Sequence, residues 1–175
     1  FGDDFNREIK LHGNILNLYF GKNFNRYLKI DDKLRLRILQ FGDKFNQNIL
    51  LPDTLDELYF GCDYNQDTKI DSNPRLRILK FGNMFNKKII LPNSLLELEF
   101  GDRFNKKLKI PNNMTRLAFG NDFNKKIELP ENILCVLFGN NFNKDICLPK
   151  NITELRLGRR FIKEINLPHS LSRIY

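Results

Sequence analysis

Residues 91–110 read LPNSLLELEFGDRFNKKLKI, and the order of residue types in this stretch predicts a β-strand that leads into a turn. Leu98 and Phe100 alternate with Glu97 and Glu99. This two-residue period is typical of a strand with one buried face and one face in water. We therefore expect Leu98 and Phe100 to point into a core and the two glutamates to point outward.

The second half of the stretch predicts a return to the same core. Gly101 is expected to adopt backbone angles that would strain other residues, so that the chain turns there. Phe104 then returns to the core, and the short amide of Asn105 can bond backbone groups of its own coil and of neighbouring coils. Pro111 closes the segment that ends at Ile110, because proline cannot donate a hydrogen bond to a β-ladder.

The same pattern fills the whole chain. Aligned on the Phe-Gly dipeptide, the 175 residues divide into seven units of 19 residues and two of 21 residues. All 16 phenylalanines fall in two columns, one before the glycine and one four residues later. A strict period predicts an all-β solenoid in which each coil needs its neighbours to bury its apolar residues. The units begin at Phe1, Phe20, Phe41, Phe60, Phe81, Phe100, Phe119, Phe138 and Leu157.

An asparagine follows the second aromatic residue in eight of the nine units, and Ile162 takes its place in the ninth. We predict that these side chains form a structural ladder, one rung per coil, that satisfies backbone groups at the turns. The predicted ladder residues are Asn6, Asn25, Asn46, Asn65, Asn86, Asn105, Asn124 and Asn143.

The unit Leu-Pro-x-x-Leu-x-x-Leu-x-Phe-Gly-x-x-Phe-Asn-x-x-Ile resembles the FNIP repeat, and residues 91–110 are its clearest copy. FNIP repeats occur in social amoebae and in giant viruses that infect amoebae, and they are similar to short leucine-rich repeats. The resemblance implies a right-handed, leucine-rich-repeat-like solenoid of nine coils with little or no helix. It also implies protein–protein interaction, with an F-box module elsewhere in the protein and a substrate for ubiquitination as the partner. We expect residues 1–175 to form one such solenoid within a longer chain.

Composition and motifs favour a non-enzymatic protein. The hydrophobic fraction of 41% excludes disorder, and no apolar run is long enough to cross a membrane. The sequence contains no phosphate-binding glycine loop, no metal-ligating pair of cysteines or histidines and no nucleophile motif. We therefore predict no catalytic, cofactor-binding or metal-binding residues and no membrane partner. The three cysteines lack metal spacing and suit a reducing, intracellular, cytoplasmic compartment.

The outward strand positions vary from coil to coil, whereas the core columns are monotonous. This face corresponds to the concave face of leucine-rich repeats, and we expect it to be exposed and to bind a protein partner, because tyrosine and arginine are favoured at interfaces. The alternative is that exposed strand positions are simply free to vary. The candidate residues on this strand face are Tyr19, Tyr59, Lys80, Glu99, Arg116, Arg156 and Tyr175.

The second and fourth units are two residues longer than the others, and the extra residues lie at one corner of the coil. Residues 19–41 and 59–81 match closely, which indicates a duplicated two-coil unit. The two long corners should lie on one edge, about 10 Å apart. Insertions in solenoids often mark a binding edge, and the alternative is a tolerated slack connection. The candidate partner-binding residues at these corners are Arg35, Arg37, Arg75 and Arg77.

A mostly basic row follows the asparagine column, and the chain carries 29 Lys and Arg against 21 Asp and Glu. Stacked cations of this kind could bind nucleic acid. No aromatic residues interleave the row, and nearby acidic residues dilute its field, so a solvated flank is the preferred interpretation and nucleic acid an unlikely partner. The row comprises Arg7, Arg26, Gln47, Gln66, Lys87, Lys106, Lys125, Lys144 and Lys163.

Three functions are therefore open. The first is a non-enzymatic protein-interaction scaffold, acting as the substrate-recognition arm of an F-box-type protein. The second is a structural or assembly protein, a virion or filament component, that packs end to end or side by side through uncapped ends or edges. The third and weakest is nucleic-acid binding along the basic row.

Overall fold

The computed structural model describes residues 1–31 and 33–175, so that Asp32, in the first long corner, lies outside the described residues. Nine short β-strands and no helix are present in the described residues. The strands are β1 (Asn17–Tyr19), β2 (Ile38–Gln40), β3 (Glu57–Tyr59), β4 (Ile78–Lys80), β5 (Glu97–Glu99), β6 (Arg116–Ala118), β7 (Cys135–Leu137), β8 (Glu154–Arg156) and β9 (Arg173–Ile174).

The nine strands form one parallel sheet in which each strand pairs with the next strand along the chain. The register advances by one whole repeat at each step, so that Leu58 faces Leu39 on one side and Leu79 on the other. The central residue of β1 to β8 is buried, and the residues on either side of it point outward. An all-parallel, leucine-rich-repeat-like solenoid is therefore confirmed, with the strand register set by the repeat.

The two phenylalanine columns form the centre of the core. Within one coil the ring centroids of Phe100 and Phe104 lie 3.7 Å apart, and between coils those of Phe104 and Phe123 lie 6.1 Å apart. The rings are stacked, and all but the terminal ones are fully or nearly fully buried. Tyr64 takes the place of one phenylalanine; its hydroxyl bonds Thr68 at 2.8 Å, and burial raises its pKa to about 12. Each ring is thus covered by its partner in the same coil and by the rings of the coils before and after it.

The glycine of each Phe-Gly turn is needed for space rather than for its backbone angles. Among the described residues only Gly13 has a positive φ, of 78°, so the expectation that Gly101 supplies unusual angles is wrong. A Cβ atom on Gly101 would lie 2.5 Å from the carbonyl carbon of Gly82 in the preceding coil. Real Cβ atoms do not approach so closely, and the other stacked glycines are equally crowded. Successive turns therefore touch backbone to backbone.

The asparagine side chains connect successive coils by hydrogen bonds. The backbone N–H of Asn105 donates to Oδ1 of Asn86 at 3.0 Å, and Oδ1 of Asn105 accepts from the backbone N–H of Asn124 at 3.1 Å. Equivalent bonds run from Asn6 to Asn143, whose Oδ1 accepts from the backbone of Ile162. The amide oxygens thus satisfy backbone donors that strand pairing does not reach.

A second, shorter set of polar bonds lies beside the glycines, and the sequence analysis did not anticipate it. Oδ1 of Asp102 accepts from the backbone N–H of Asn121 at 3.1 Å, and Oδ1 of Asn121 accepts from that of Asn140 at 3.3 Å. At the first coil, Asp3 accepts from the backbone of Lys22 at 3.0 Å. The sequence feature that points to these bonds is the excess of Asp and Asn in the position directly after Phe-Gly.

Replacing Gly101 with alanine should destabilise the array strongly, because the new methyl group has no room against the Gly82 backbone. We expect a loss of at least about 2 kcal/mol in the free energy of unfolding, as for other overpacked sites. Gly2→Ala is the matched control, because no atom lies within 4 Å of a Cβ placed at Gly2. Urea denaturation of both variants measures the difference, and equal losses would show that backbone contact is not the constraint.

Replacing Asn105 with alanine should leave the backbone N–H of Asn124 without its acceptor. We expect a loss of about 1–3 kcal/mol, the usual cost of an unsatisfied and partly buried donor. The exposed Asn112 of the same coil is the control, as Asn112→Ala removes an amide outside the ladder. Thermal and urea unfolding of the two variants provide the measurement, and an unchanged stability of Asn105→Ala would contradict the structural role of the ladder.

Candidate protein-interaction surface

The outward residues of the strands form two rows across the sheet. One row begins with Tyr19, which faces Gln40, and Gln40 in turn faces Tyr59. It continues through Lys80 and Glu99 and, past β6 and β7, reaches Arg156. Parallel neighbours lie about 4.8 Å apart, so each side chain contacts those of the coils on either side. Six of the predicted strand-face residues thus lie on the described strands, and Tyr175 directly follows β9.

The face is exposed at its two ends and partly covered in its middle. Tyr19 is 47% exposed and Tyr175 is 64% exposed, and Arg156 is also exposed. Tyr59, Lys80, Glu99 and Arg116 are half-buried, and Ala118 and Cys135 are buried. Exposure along the whole face, which the sequence analysis expected, is therefore not found. Side chains of neighbouring strands cover one another, because a parallel sheet brings them together at every coil.

Polar contacts within the face hold several of the candidate side chains in place. The Tyr59 hydroxyl donates to Glu57 at 2.6 Å, and burial together with this bond raises the pKa of Tyr59. Lys80 pairs with Glu99 at 3.1 Å. The Arg116 guanidinium lies 3.0 Å from the Cys135 sulfur, whose pKa is raised by burial. These side chains are ordered before any partner arrives.

The four arginines of the long corners are exposed, and two of them, Arg37 and Arg75, lie around one carboxylate. Asp56, in the coil between the two long ones, accepts a hydrogen bond from Arg37 and lies 3.5 Å from Nε of Arg75. Arg35 and Arg77 form no ion pair within the part of the chain that the structure describes. Sequence reasoning missed Asp56, although it lies in the same column as Arg37 and Arg77.

A shallow hollow of 760 Å³ joins the long corners to the strand face. Arg37, Asp56, Arg75 and Arg77 line it together with Glu57 of β3. Arg35, Tyr19 and Tyr59 do not line the hollow, but Glu57, which does, accepts a hydrogen bond from Tyr59, so the hollow borders the strand face at β3. We name this region the Tyr-Arg surface, defined as Tyr19, Tyr59, Arg35, Arg37, Arg75 and Arg77.

The basic row behaves differently in its two halves. Near the N-terminal end its side chains are tied to the asparagine ladder: Arg26 donates to the backbone of Asn6 at 3.2 Å, and Gln47 donates to Oδ1 of Asn25 at 2.9 Å. From the fifth coil onward the row is made of lysines, and Lys163 lies 3.9 Å from Asp145. The free cationic groups are therefore concentrated in the later coils.

No cluster of three or more His, Cys, Asp and Glu side chains in residues 1–31 and 33–175 could hold a metal ion. The described residues also contain no helix with the length and apolar character needed to cross a bilayer. The three cysteines are unpaired, and they range from the buried Cys135 to the exposed Cys147.

Comparisons with known proteins agree with this architecture. The chain matches the family model described as FNIP Repeat over residues 35–63, 64–103 and 104–141. A comparison with curated protein sequences finds no match. Among solved structures, the chain is similar to CroV588 of the giant virus CroV, described as a novel circular LRR protein, with 35% identity and a TM-score of 0.81. The similarity covers 99% of this chain and 32% of CroV588. On this evidence the chain belongs to the FNIP repeat family.

Proposed function

We propose that this chain is a non-enzymatic scaffold that binds another protein through the Tyr-Arg surface. The observation that carries the proposal is the hollow beside the long corners, which is lined by the exposed Arg37, Arg75 and Arg77. Glu57, which also lines it, is the hydrogen-bond partner of Tyr59 on the strand face. Tyrosine and arginine provide much of the binding energy at protein interfaces. The remaining strand-face candidates, Lys80, Glu99, Arg116, Arg156 and Tyr175, would extend the contact toward the ninth coil.

The chemistry of the hollow favours an acidic partner. Three arginines line the hollow against two carboxylates, those of Asp56 and Glu57, so its lining carries a net positive charge. Glu57 already accepts a hydrogen bond from the Tyr59 hydroxyl. The planar guanidinium binds carboxylates through two parallel hydrogen bonds, which lysine cannot do. Asp56 shows that a carboxylate fits between Arg37 and Arg75. The family's association with F-box modules makes a substrate for ubiquitination the partner that we propose.

The experiment is a selection of random peptides by phage display against the protein. We expect acidic peptides to be enriched, and their binding to fall as salt is added. Replacing Arg35, Arg37, Arg75 and Arg77 with serine should weaken binding by tenfold or more, as for several lost interface charges. The control replaces Lys10, Lys29, Lys109 and Lys150 with serine, which removes the same charge from exposed positions elsewhere.

Asp56→Asn provides a test in the opposite direction. Asp56 neutralises part of the positive charge of the arginines, so removing the charge of Asp56 should tighten binding of the selected peptides. We expect a change of about threefold, which corresponds to the free energy of one surface ion pair. If the unmodified protein and the fourfold arginine variant bind the selected peptides equally well, the long corners are connections without a binding role.

A second candidate function is assembly, and the similarity to a circular LRR protein favours it. The chain matches 32% of CroV588, so an array like this one corresponds to an arc of that longer protein. We propose that the first coil of one copy stacks on the ninth coil of another, as successive coils do within the chain. A virion or filament component would be built in this way.

Charges in one column support this stacking. Within the array, Nζ of Lys44 lies 3.1 Å from Oδ2 of Asp63, which occupies the same column one coil later. Arg160 in the ninth coil and Asp4 in the first coil occupy that column. Stacking would therefore place a basic side chain beside an acidic side chain of the following coil, as in the pair of Lys44 and Asp63.

Light scattering tests the assembly. We expect a concentration-dependent rise in molar mass, which Asp4→Arg or Arg160→Asp alone should reduce and which the two changes together should restore. Exposed ion pairs contribute little individually, so the single variants should raise the dissociation constant by about threefold to fivefold. A constant monomer mass at all concentrations would contradict the assembly function and leave the peptide-binding experiment unaffected.

A further inference from the structure

A second hollow, of 810 Å³, lies at the fourth to sixth coils and shares no lining residue with the hollow of the Tyr-Arg surface. Its walls include the side chains of Lys69, Lys88, Lys106 and Lys107, and its apolar part is formed by Ile89 and Ile90. Ile90 is 73% exposed, whereas Ile89 belongs to the core. Asp71 is the one acidic residue that lines this hollow. An apolar floor with a cationic rim suits a ligand that is both apolar and anionic.

The fifth, sixth and seventh coils each carry two lysines directly after the ladder asparagine. Within the described residues, none of these six lysines forms an ion pair. Like charges stacked at the coil spacing repel one another, and an anionic partner would relieve that repulsion. Three of the six, Lys88, Lys106 and Lys107, line the hollow, and the other three continue the same two columns. We name the hollow and these columns together the lysine groove, defined as Lys87, Lys88, Lys106, Lys107, Lys125, Lys126 and Ile90.

We propose that the lysine groove binds an acidic amphipathic helix of a partner protein, with its acidic stripe along the lysine pairs and an apolar side chain against Ile90. This proposal is independent of the Tyr-Arg surface, because different residues carry it.

The spacing of the lysines selects a helix over an extended segment. Successive coils are about 4.8 Å apart, so the lysines of the first and third coil are separated by about 9.6 Å. Two turns of a helix rise by about 10.8 Å, and a lysine side chain easily takes up the difference. Side chains on one face of a strand repeat every 6.6–6.8 Å or so, which gives a mismatch of about 4 Å over the same span.

The same groove is less suited to nucleic acid. Among the described residues no aromatic residue lines the hollow, and the phenylalanines between these lysines in the sequence are buried in the core, so none offers a face on which a base could stack. The exposed Ile90 would lie against a phosphate backbone and lose water without gaining an apolar contact. A helix with leucines beside its acidic stripe uses both the charge and the apolar floor.

The experiment measures binding of synthetic helical peptides about four turns long by fluorescence anisotropy. The probe carries glutamates at helical spacing on one face with leucines beside them; one control peptide has the same composition in scrambled order, and a second has serine for leucine. A short DNA duplex serves as the nucleic-acid probe. We expect the ordered peptide to bind at least about tenfold more tightly than the scrambled one, because only its charges face the lysines together.

Two pairs of variants locate the site. Changing Lys88, Lys107 and Lys126 to glutamine should weaken binding of the ordered peptide by about tenfold, as expected for the loss of three exposed ion pairs. The same change at Lys10, Lys29 and Lys150 should have little effect on this binding. Ile90→Ser should weaken the leucine peptide and not the serine peptide. Leu50→Ser is its control, because Leu50 lies in the same column, is 77% exposed and does not line the groove.

Each outcome decides the proposal. Equal losses in the two lysine variants would show a general charge effect and overturn the site. Equal affinity for ordered and scrambled peptides would overturn the helix. Tighter binding of the duplex, lost in the Lys88, Lys107 and Lys126 variant, would assign the groove to nucleic acid instead.

Discussion

Backbone contact between the Phe-Gly turns of successive coils is the constraint on which the rest of the structure depends. Because Gly101 leaves no room for a side chain above Gly82, the coils stack at the distance that β-pairing requires. The same spacing brings each phenylalanine against those of the next coil and each asparagine oxygen to the next backbone N–H. A larger residue at the turn would separate the aromatic stack and the ladder together.

This constraint divides the chain into residues that the stack fixes and residues that it leaves free. Columns that contact the next coil are monotonous, since every position in them meets the same neighbours. Columns that face water carry the differences between coils, and these differences include the arginines of the long corners and the lysine pairs of the fifth to seventh coils. A repeated column becomes a distinct surface wherever several coils in succession depart from the common pattern.

Stacking also determines which of the outward residues can act together. A contact between coils joins residues about 20 positions apart in sequence, as in the pairing of Arg37 with Asp56. Two side chains that are close in sequence can therefore differ, because a residue of the next coil neutralises one of them and not the other. Arg35 and Arg37 are close in sequence, yet the described structure pairs the second with a carboxylate and not the first.

The sequence by itself determined the repeat length, the two aromatic columns, the inward and outward positions of each strand and the family. These features are local or periodic, so counting along the chain is enough to find them. The tertiary structure decided why the turns contain glycine, because a steric clash with the preceding coil leaves no trace in a single repeat. It also decided that Asp56 lies between Arg37 and Arg75, that the middle of the strand face is partly covered and that Lys88, Lys106 and Lys107 border a hollow with an apolar part. Those features depend on which side chains meet across coils, and that depends on the three-dimensional stacking of the repeats rather than on their order alone.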